Sequence, residues 1–329
     1  MIAETSRQSQ LTGFREVDSR WPVIAIVGPT AAGKSELSLR LASALNGEVV
    51  NADSMQLYRG MDVGTGKLAP ADRAGVPHHL LDVWDVTQTA SVSEYQRLAR
   101  AVIADIHARG RTAVLTGGSG LYVRAVIDNL DFPGTEPALR ARLEAELAAV
   151  GPVVLHGKLA AADPAAAAAI LPSNGRRIVR ALEVIELSGR PFSATLPRYA
   201  SVLPAVQIGL SVPRPELDAR IAGRVRAMWQ AGLVDEVKRL AVQTQPGGGL
   251  RSGRTASRAL GYAQVLRFVD GEWTEAEAEE QTVRATRRFA RRQESWFRRD
   301  PRVRWLDAEK PVPTELALAV VTESATPDG

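Results

Sequence analysis

The stretch VIAIVGPTAAGKSELSLRLASAL, residues 23–45, decides the fold of this chain. Its first residues are apolar and mostly β-branched, which is the pattern of a strand buried on both faces of a sheet. After a glycine-containing loop, an apolar repeat through Leu37, Leu41 and Leu45 is typical of a helix with one buried face. The stretch therefore predicts a strand, a loop and a helix in that order.

The loop itself, GPTAAGKS, fits the pattern G-x-x-x-x-G-K-[ST], which cradles phosphates when it lies between a strand and a helix. The glycines let backbone N–H groups turn inward, and the helix N-terminus favours negative charge. Lys34 adds a positive charge, and the Ser35 hydroxyl can bind Mg²⁺. The pattern predicts a diphosphate or triphosphate site formed by Gly28, Pro29, Thr30, Ala31, Ala32, Gly33, Lys34 and Ser35.

Further apolar runs predict strands that alternate with helical stretches, at residues 48–53, 80–85, 112–118 and 206–212. Strands alternating with helices predict an α/β fold, a P-loop NTPase-like parallel sheet with helices on both faces. Strand patterns stop within residues 129–200, where Asp163 and Asn174 have the position of helix caps, so we expect a helical insertion there. Residues 215–231 and 275–299 predict helices on either side of a mobile glycine-rich loop at 245–253.

These patterns predict four regions. We expect a disordered N-terminal extension at 1–20, a core domain formed by 21–128 and 201–310, the helical insertion at 129–200, and a C-terminal tail at 311–329.

Composition excludes several classes of protein. The chain has 329 residues, 45% hydrophobic and 24% charged, which is typical of a globular protein, and no apolar window reaches the length of a membrane span. It has no cysteine, which excludes disulfides and thiolate zinc sites and suits a reducing cytoplasm. The net charge of +4 is unevenly spread, because nine arginines lie between Arg284 and Arg304 with only Glu294 and Asp300 among them. This asymmetry predicts a polyanionic partner.

The ATPase interpretation of the loop lacks one part. ATPases place an aspartate at the end of a second apolar strand, but here the strand that includes residues 113–116 ends in Gly117 and Gly118. A carboxylate follows the neighbouring run instead, at Asp53, on the edge of the sheet where ligands bind. We therefore expect Asp53 to act as the acid or base of the site. His78 and His79 are adjacent on an extended segment and point to opposite faces, which argues against a metal pair.

Six segments together resemble one family. They are GPTAAGKS, NADSMQLYRGMDVGTGK, VPHHLLD, TGGSGLY, GRRIVRALEV and TRRFARRQESWFR, in that order. From Val23 to about Trp305 the chain resembles the bacterial tRNA dimethylallyltransferases, also called isopentenyl-tRNA transferases. The resemblance implies transfer of a dimethylallyl group from dimethylallyl diphosphate to the N6 amine of an adenine next to the anticodon, with Mg²⁺ as cofactor and release of diphosphate.

The resemblance also implies roles for individual residues. Asp53 would take the proton of the amine, while Lys34, Ser35 with its Mg²⁺, and either Arg220 or Arg224 would stabilise the leaving diphosphate. The anticodon stem-loop of tRNA would contact Asp53, Ser54, Met55, Gln56, Ser119, Arg176, Arg177, Arg180, Arg258, Gly261, Tyr262, Arg287, Arg288, Arg291, Arg292 and Gln293. We expect a monomer that acts in the cytoplasm without a membrane.

The sequence departs from the family in three places. Ser119 replaces a threonine that many relatives have, which keeps the hydroxyl. Leu68 stands where proline is common, and Ala263 stands where a basic residue is frequent, so residue 263 lacks the charge that would contact tRNA.

The residues also allow other interpretations. A small-metabolite kinase would use the loop and the insertion but not the arginine-rich segment. An RNA-binding protein that senses a nucleotide would not use Asp53, and a prenyltransferase for free AMP would need neither the insertion nor the arginines. The arginine-rich helix could also be a solvated surface that docks through Phe289, Trp296 and Phe297.

Overall fold

The computed structural model describes residues 22–195, 199–242, 248–308 and 313–325. The chain divides into two compact units, one formed by Met1–Ile127 with Ser201–Gly329 and the other by Asp128–Ala200. The extension predicted at residues 1–20 lies outside the described residues, as do residues 243–247 of the predicted glycine-rich loop region.

The first unit contains a parallel sheet of six strands within the described residues, in the spatial order β3-β2-β4-β1-β5-β6. The strands are β1 (Val23–Val27), β2 (Gly47–Asn51), β3 (His78–His79), β4 (Thr112–Thr116), β5 (Ala205–Ser211) and β6 (Val303–Asp307). Because all the strands run in one direction, their carboxyl ends meet at a single edge of the sheet. The α/β fold class predicted from the sequence is confirmed.

Eleven α-helices are present in the described part of the chain. They are α1 (Lys34–Ala44), α2 (Val92–Ala108), α3 (Gly120–Ile127), α4 (Pro137–Ala162), α5 (Pro164–Ala169), α6 (Gly175–Ser188), α7 (Arg214–Gln230), α8 (Leu233–Ala241), α9 (Tyr262–Val269), α10 (Glu275–Phe297) and α11 (Thr314–Ala325).

The core lies on both faces of the sheet, as the unbroken apolar run of β1 predicts. Val23, Ala25 and Val27 pack into one cluster with residues of α2, α3, α8 and α9, whereas Ile24 and Ile26 pack into the other with residues of α1, α7 and α11. Every side chain of β1 is at most 1% exposed. Burying an aliphatic side chain of this size contributes about 1.5–3 kcal/mol, so both helical layers stabilise the central strand.

One strand prediction was wrong, and one strand was not predicted. The run at 80–85 does not form a strand, because Leu80 and Asp82 have φ values of 60° and 59°, which lie outside the extended region. Pairing at that position is limited to β3 and to one isolated bridge between Tyr58 and Trp84. The edge strand β6 was not predicted, since charged and apolar residues mix along it and only Val303 is fully buried.

The second unit is helical and has its own core. Leu143, Leu155 and Leu159 of α4 pack against Ile178 and Leu182 of α6. The predicted caps are confirmed: the Asp163 carboxylate accepts a hydrogen bond from the Ala166 N–H at the start of α5, and Asn174 accepts one from the Arg177 N–H at the start of α6.

One helix of this unit, Pro137–Ala162, is long and apolar enough to cross a membrane by length and composition alone. Gly151, however, has a φ of 78° and a ψ of 166°, and Pro152 follows it, so the segment is two helices joined at a kink. Neither part has the length of about 20 residues that a span requires.

Candidate active site

A cavity of about 770 Å³ opens at the carboxyl edge of the sheet in the first unit. The phosphate loop, the ends of β2 and β4, the turn at residues 64–65, helix α7, residues 258–261 and helix α10 line it. Ligands of parallel α/β sheets bind at this edge, where loops follow the strand ends. The cavity therefore has the position and size of a small-molecule site.

The predicted phosphate loop forms one wall of the cavity. Its lining residues are Thr30, Ala31, Gly33, Lys34 and Ser35, whereas Ala32 is buried beneath them. Gly28 has a φ of 130°, and an added Cβ would lie 2.8 Å from the Leu210 carbonyl oxygen, so this turn requires glycine.

Lys34 is the main positive charge of the loop. Its Nζ donates a hydrogen bond to the Pro29 carbonyl oxygen at 2.7 Å, which holds the side chain over the loop. Desolvation inside the cavity lowers the pKa of Lys34 from 10.5 to about 8, an effect that the Asp53 carboxylate opposes and the nearby Arg224 charge strengthens. Lys34, Asp53 and Arg224 therefore act on one another electrostatically within one site.

Asp53 lies just beyond the end of β2. Its Oδ1 accepts a hydrogen bond from the Met55 N–H at 3.0 Å, and its own N–H donates to Asn51 Oδ1 at 2.9 Å. The first bond orients the carboxylate, and the second fixes the Asp53 backbone at the edge of the cavity. The end of β4 approaches closely, because an added Cβ on Gly117 would lie 2.3 Å from the Ala52 carbonyl carbon.

That close approach brings two predicted hydroxyl groups together. Ser119 follows β4, and its Oγ accepts a hydrogen bond from the Ser54 N–H and lies 3.2 Å from the Ser54 hydroxyl oxygen. The sequence alone placed these residues at two separate strand ends, and the parallel pairing of β2 with β4 makes them neighbours.

The two candidate arginines of α7 differ in their surroundings. Arg220 is paired with Glu216 and also donates to the Ala308 carbonyl oxygen at 2.9 Å. Arg224 donates to the Thr65 carbonyl oxygen at 3.1 Å, and desolvation lowers its pKa while the Asp53 charge raises it. Both line the cavity, but Arg224 is the one whose charge acts on Asp53 and Lys34.

Comparison with known proteins agrees with this geometry. The family model for IPP transferase matches residues 56–300. The chain belongs to the IPP transferase family. The match begins at Gln56, three residues after Asp53, and it includes the insertion and helix α10.

Curated relatives are similar over nearly the whole chain. A protein of Thermobifida fusca named tRNA dimethylallyltransferase is 67% identical over 306 residues, which is 92% of this chain and 94% of the relative. One of Streptomyces coelicolor with the same name is 66% identical over 307 residues, 92% of this chain and 97% of the relative.

Solved structures of the family are similar as well. The tRNA isopentenylpyrophosphate transferase of Bacillus halodurans is 41% identical with a TM-score of 0.67, and the match covers 92% of this chain and 96% of that one. A eukaryotic dimethylallyltransferase acting on tRNA is 25% identical with a TM-score of 0.80, covering 92% of this chain and 79% of that one.

Many of the predicted tRNA contacts of this IPP transferase lie together around the cavity. They are Asp53, Ser54, Met55, Gln56, Ser119, Arg258, Gly261, Arg292 and Gln293. Arg288 and Arg291 are exposed on α10, and Arg176 and Arg177 are exposed on α6 of the second unit.

The surroundings of the Tyr262 side chain differ from those that the predicted tRNA contact implies. Its side chain is fully buried, and its hydroxyl donates a hydrogen bond to the Glu236 carboxylate at 2.5 Å. Burial together with the negative charge of Glu236 raises the pKa of Tyr262 far above its ordinary value. The side chain is therefore part of the core and is not among the residues that line the cavity.

Three more predicted contacts are engaged within their own units. Gln293 is 6% exposed, and its side chain accepts a hydrogen bond from the Thr30 N–H and donates one to the Gly118 carbonyl oxygen, both at 2.9 Å. Arg287 donates to the Asp218 carbonyl oxygen at 3.2 Å. Arg180 is paired with the fully buried Glu183 at 2.7 Å. These side chains hold elements together, because each has a protein partner that fixes it.

Two residues had no predicted role: Thr65, which lines the cavity, and Glu236, which lies behind it and supports the turn that carries Thr65. Glu236 is 3% exposed and accepts hydrogen bonds from the backbone of the turn that carries Thr65. A signal for Glu236 is present in the sequence, since it shares a helical face with Leu233 and Leu240, which are buried. A carboxylate on an apolar face needs partners, but the sequence does not say which.

Proposed function

We propose that this chain is a tRNA dimethylallyltransferase. It transfers the dimethylallyl group of dimethylallyl diphosphate to the N6 amine of an adenine next to the anticodon of tRNA, and it releases diphosphate. The observation that carries the proposal is one cavity in which a phosphate loop with Lys34 faces a carboxylate, Asp53, at the neighbouring strand end. The curated relatives that carry this name support the choice of substrates.

The donor binds with its diphosphate on the phosphate loop. Backbone N–H groups at the start of α1, the Lys34 ammonium and the Arg224 guanidinium face the oxygens on which negative charge accumulates when the C1–O bond breaks. Stabilising that charge lowers the barrier for departure of the diphosphate. Arg224 fills this role better than Arg220, which is paired with Glu216.

The acceptor amine attacks C1 of the allyl group from the side of Asp53. Its nitrogen lone pair is delocalised into the adenine ring, so attack requires removal of a proton as the N–C1 bond forms. Asp53 takes that proton, since its carboxylate is oriented by the Met55 N–H and its backbone N–H is held by Asn51 at the cavity edge. The proton moves to the carboxylate, and the electron pair of the broken bond leaves with the diphosphate.

The lining residues fit a magnesium ion held mainly by the substrate. Among the described residues, no group of three or more histidine, cysteine, aspartate or glutamate side chains could hold a metal. Mg²⁺ does not need such a group, because it retains waters and binds substrate phosphates with one or two protein oxygens. The Ser35 hydroxyl, which lines the cavity, would supply a protein oxygen. Bound there, the ion would neutralise part of the charge on the diphosphate.

The tRNA is recognised by exposed arginines and by the residues around the cavity mouth. Arg288, Arg291 and Arg292 on α10, together with Arg176 and Arg177 on α6, supply charges that can contact phosphates. The adenine must leave its stack to reach Asp53, as bases do in enzymes that modify them.

Purified protein should be offered labelled dimethylallyl diphosphate or labelled ATP, each with bulk tRNA, AMP or no acceptor. We expect label to enter tRNA from dimethylallyl diphosphate and from no other combination, because transfer requires both the tRNA contacts and the general base Asp53. Label from ATP in any product would favour a kinase, and prenylated AMP at a comparable rate would favour a free-nucleotide prenyltransferase. Binding of tRNA without transfer would favour an RNA-binding protein.

A further inference from the structure

The turn formed by Asp62–Gly66 is held by one buried carboxylate. Glu236 Oε2 accepts hydrogen bonds from the Asp62 N–H at 3.1 Å and the Val63 N–H at 2.8 Å, and Oε1 accepts from the Gly64 N–H at 3.2 Å. Oε1 also accepts from the Tyr262 hydroxyl at 2.5 Å. Several donors converge on one side chain that is 3% exposed, so this carboxylate fixes the backbone of the turn.

The Asp62–Gly66 turn holds two side chains that line the cavity. The Thr65 carbonyl oxygen accepts hydrogen bonds from Arg224 Nη2 at 3.1 Å and from Gln56 Nε2 at 3.2 Å. Both donors line the cavity. One backbone carbonyl therefore links α7 to the segment that follows Asp53.

Close packing leaves the turn little freedom. An added Cβ on Gly64 would lie 2.5 Å from the Tyr262 ring, and one on Gly66 would lie 2.2 Å from Arg224 Nη2. The Arg224 guanidinium thus lies directly against the Gly66 backbone, and the Tyr262 ring lies against Gly64. A shift of the turn would displace the guanidinium.

We propose that Glu236 is a positioning residue for the diphosphate, acting through the Asp62–Gly66 turn and Arg224. It does not contact the cavity; it fixes the Thr65 carbonyl, and that carbonyl fixes the guanidinium against the diphosphate end of the site. The proposal rests on the proposed function, because it takes the ligand of the cavity to be the diphosphate of the prenyl donor.

The chemistry of the side chain explains why a carboxylate is used. Each oxygen accepts, so the backbone N–H groups and the phenol can all donate to it. A glutamine at this position would turn an N–H₂ group toward at least one of these donors and would leave a buried backbone N–H without an acceptor. Glu236→Gln is therefore a nearly isosteric change that releases the turn.

The test is a double-mutant cycle read by binding. The dissociation constant of inorganic diphosphate with Mg²⁺ is measured by calorimetry for wild type, Glu236→Gln, Arg224→Gln and the double variant. We expect Glu236→Gln to weaken diphosphate binding roughly tenfold, the scale of one charge-assisted hydrogen bond, and to add nothing in the Arg224→Gln background. The dissociation constant for tRNA should change less than that for diphosphate, because the turn holds Gln56 but none of the exposed arginines.

Glu48→Gln is the matched control. Glu48 is as buried as Glu236 but lies toward the amino end of β2, where it pairs with Arg109, Arg111 and His79. Its variant should lose thermal stability and keep the diphosphate affinity of wild type. Equal losses of diphosphate affinity in the Glu236 and Glu48 variants, or full additivity with Arg224→Gln, would overturn the proposal.

Tyr262→Phe covers the case in which Glu236→Gln does not fold. It removes one donor to Glu236 and keeps the ring, so a smaller loss of diphosphate affinity is expected, again absent in the Arg224→Gln background. No loss would overturn the proposal. If wild type binds diphosphate but does not prenylate tRNA, the proposed function fails while the cycle still decides the role of Glu236.

Discussion

Asp53 is held in place by backbone contacts that survive a change in its chemistry. Asn at this position can still accept the Met55 N–H bond through its side-chain oxygen but cannot take a proton. We expect Asp53→Asn to lower the single-turnover rate of transfer by about 10²–10⁴-fold, the usual contribution of a general base. The dissociation constants for donor and tRNA should change little, and a full transfer rate in this variant would remove Asp53 from the mechanism.

Lys34 gives the donor affinity a pH dependence. Its pKa of about 8 means that the protein without donor loses this charge as the pH rises through that value. A diphosphate favours the charged form, so binding is strongest below the pKa and weakens above it. With one proton involved, the donor dissociation constant should rise roughly tenfold between about pH 7 and pH 9.

Lys34→Arg provides the control for this pH dependence. Arginine stays charged throughout the range, so its profile should be flat above about pH 7, whatever its absolute affinity. A wild-type profile that is equally flat would show that Lys34 keeps its charge in the empty site.

For single residues, the sequence predicts positions that short motifs determine. It does not predict which side chains are hydrogen-bonded to residues far away in the chain. Lys34 and Asp53 follow strand ends, and their positions come from short motifs. Tyr262, which was predicted to contact tRNA, donates its hydroxyl hydrogen bond to Glu236 instead. Gln293 accepts a hydrogen bond from Thr30, which is more than 260 positions away in the chain. Exposure of a polar side chain depends on such pairings, which no single motif contains.

The sequence also predicts the position of helix α10 but not which of its side chains face the protein. Its position was predicted at 275–299, and Thr274 caps it through the Glu277 N–H. The pattern did not say which arginines face the protein. Arg287 faces α7, where it contacts Asp218, whereas Arg288 and Arg291 are exposed. Strand β6 escaped prediction because an edge strand lacks the buried apolar run of a central one.

The exposed face of α10 should control the salt dependence of tRNA binding. Replacing Arg288 and Arg291 by glutamine removes two charges at i, i+3 spacing. The slope of log affinity against log salt should fall in magnitude by about 1.4–1.8, using ~0.7–0.9 per phosphate contact. The donor KM should barely move.

Arg287→Gln separates this effect from folding. It should lower the melting temperature by loosening α10 from α7 and leave the salt slope of wild type. If Arg288→Gln/Arg291→Gln instead keeps the wild-type slope and only lowers the melting temperature, the tRNA phosphates are bound elsewhere.

At the scale of the whole molecule, the residues proposed to act on the donor lie in the first unit, and the inserted helices form the second unit. All described residues that line the cavity belong to the first unit, whereas α4–α6 form a core of their own in Asp128–Ala200. The chain leaves and re-enters the first unit at one place, because the Ile127 carbonyl oxygen accepts a hydrogen bond from the Val202 N–H at 2.8 Å. A short linker can therefore replace the second unit without stretching the first.

Replacing Asp128–Ala200 by a Gly-Ser linker of about four residues tests this separation, since such a linker spans a neck closed by a backbone hydrogen bond. The shortened protein should fold and bind donor with the wild-type dissociation constant, because the phosphate loop, Asp53 and Arg224 all remain. Transfer to tRNA should fall by at least about 10²-fold, as expected when an acceptor loses its positioning contacts. A circular dichroism spectrum and melting curve establish folding, calorimetry gives the donor affinity, and single-turnover labelling gives the rate. Wild-type transfer by the shortened protein would mean that Arg176 and Arg177 have no part in tRNA recognition and that the first unit binds tRNA alone.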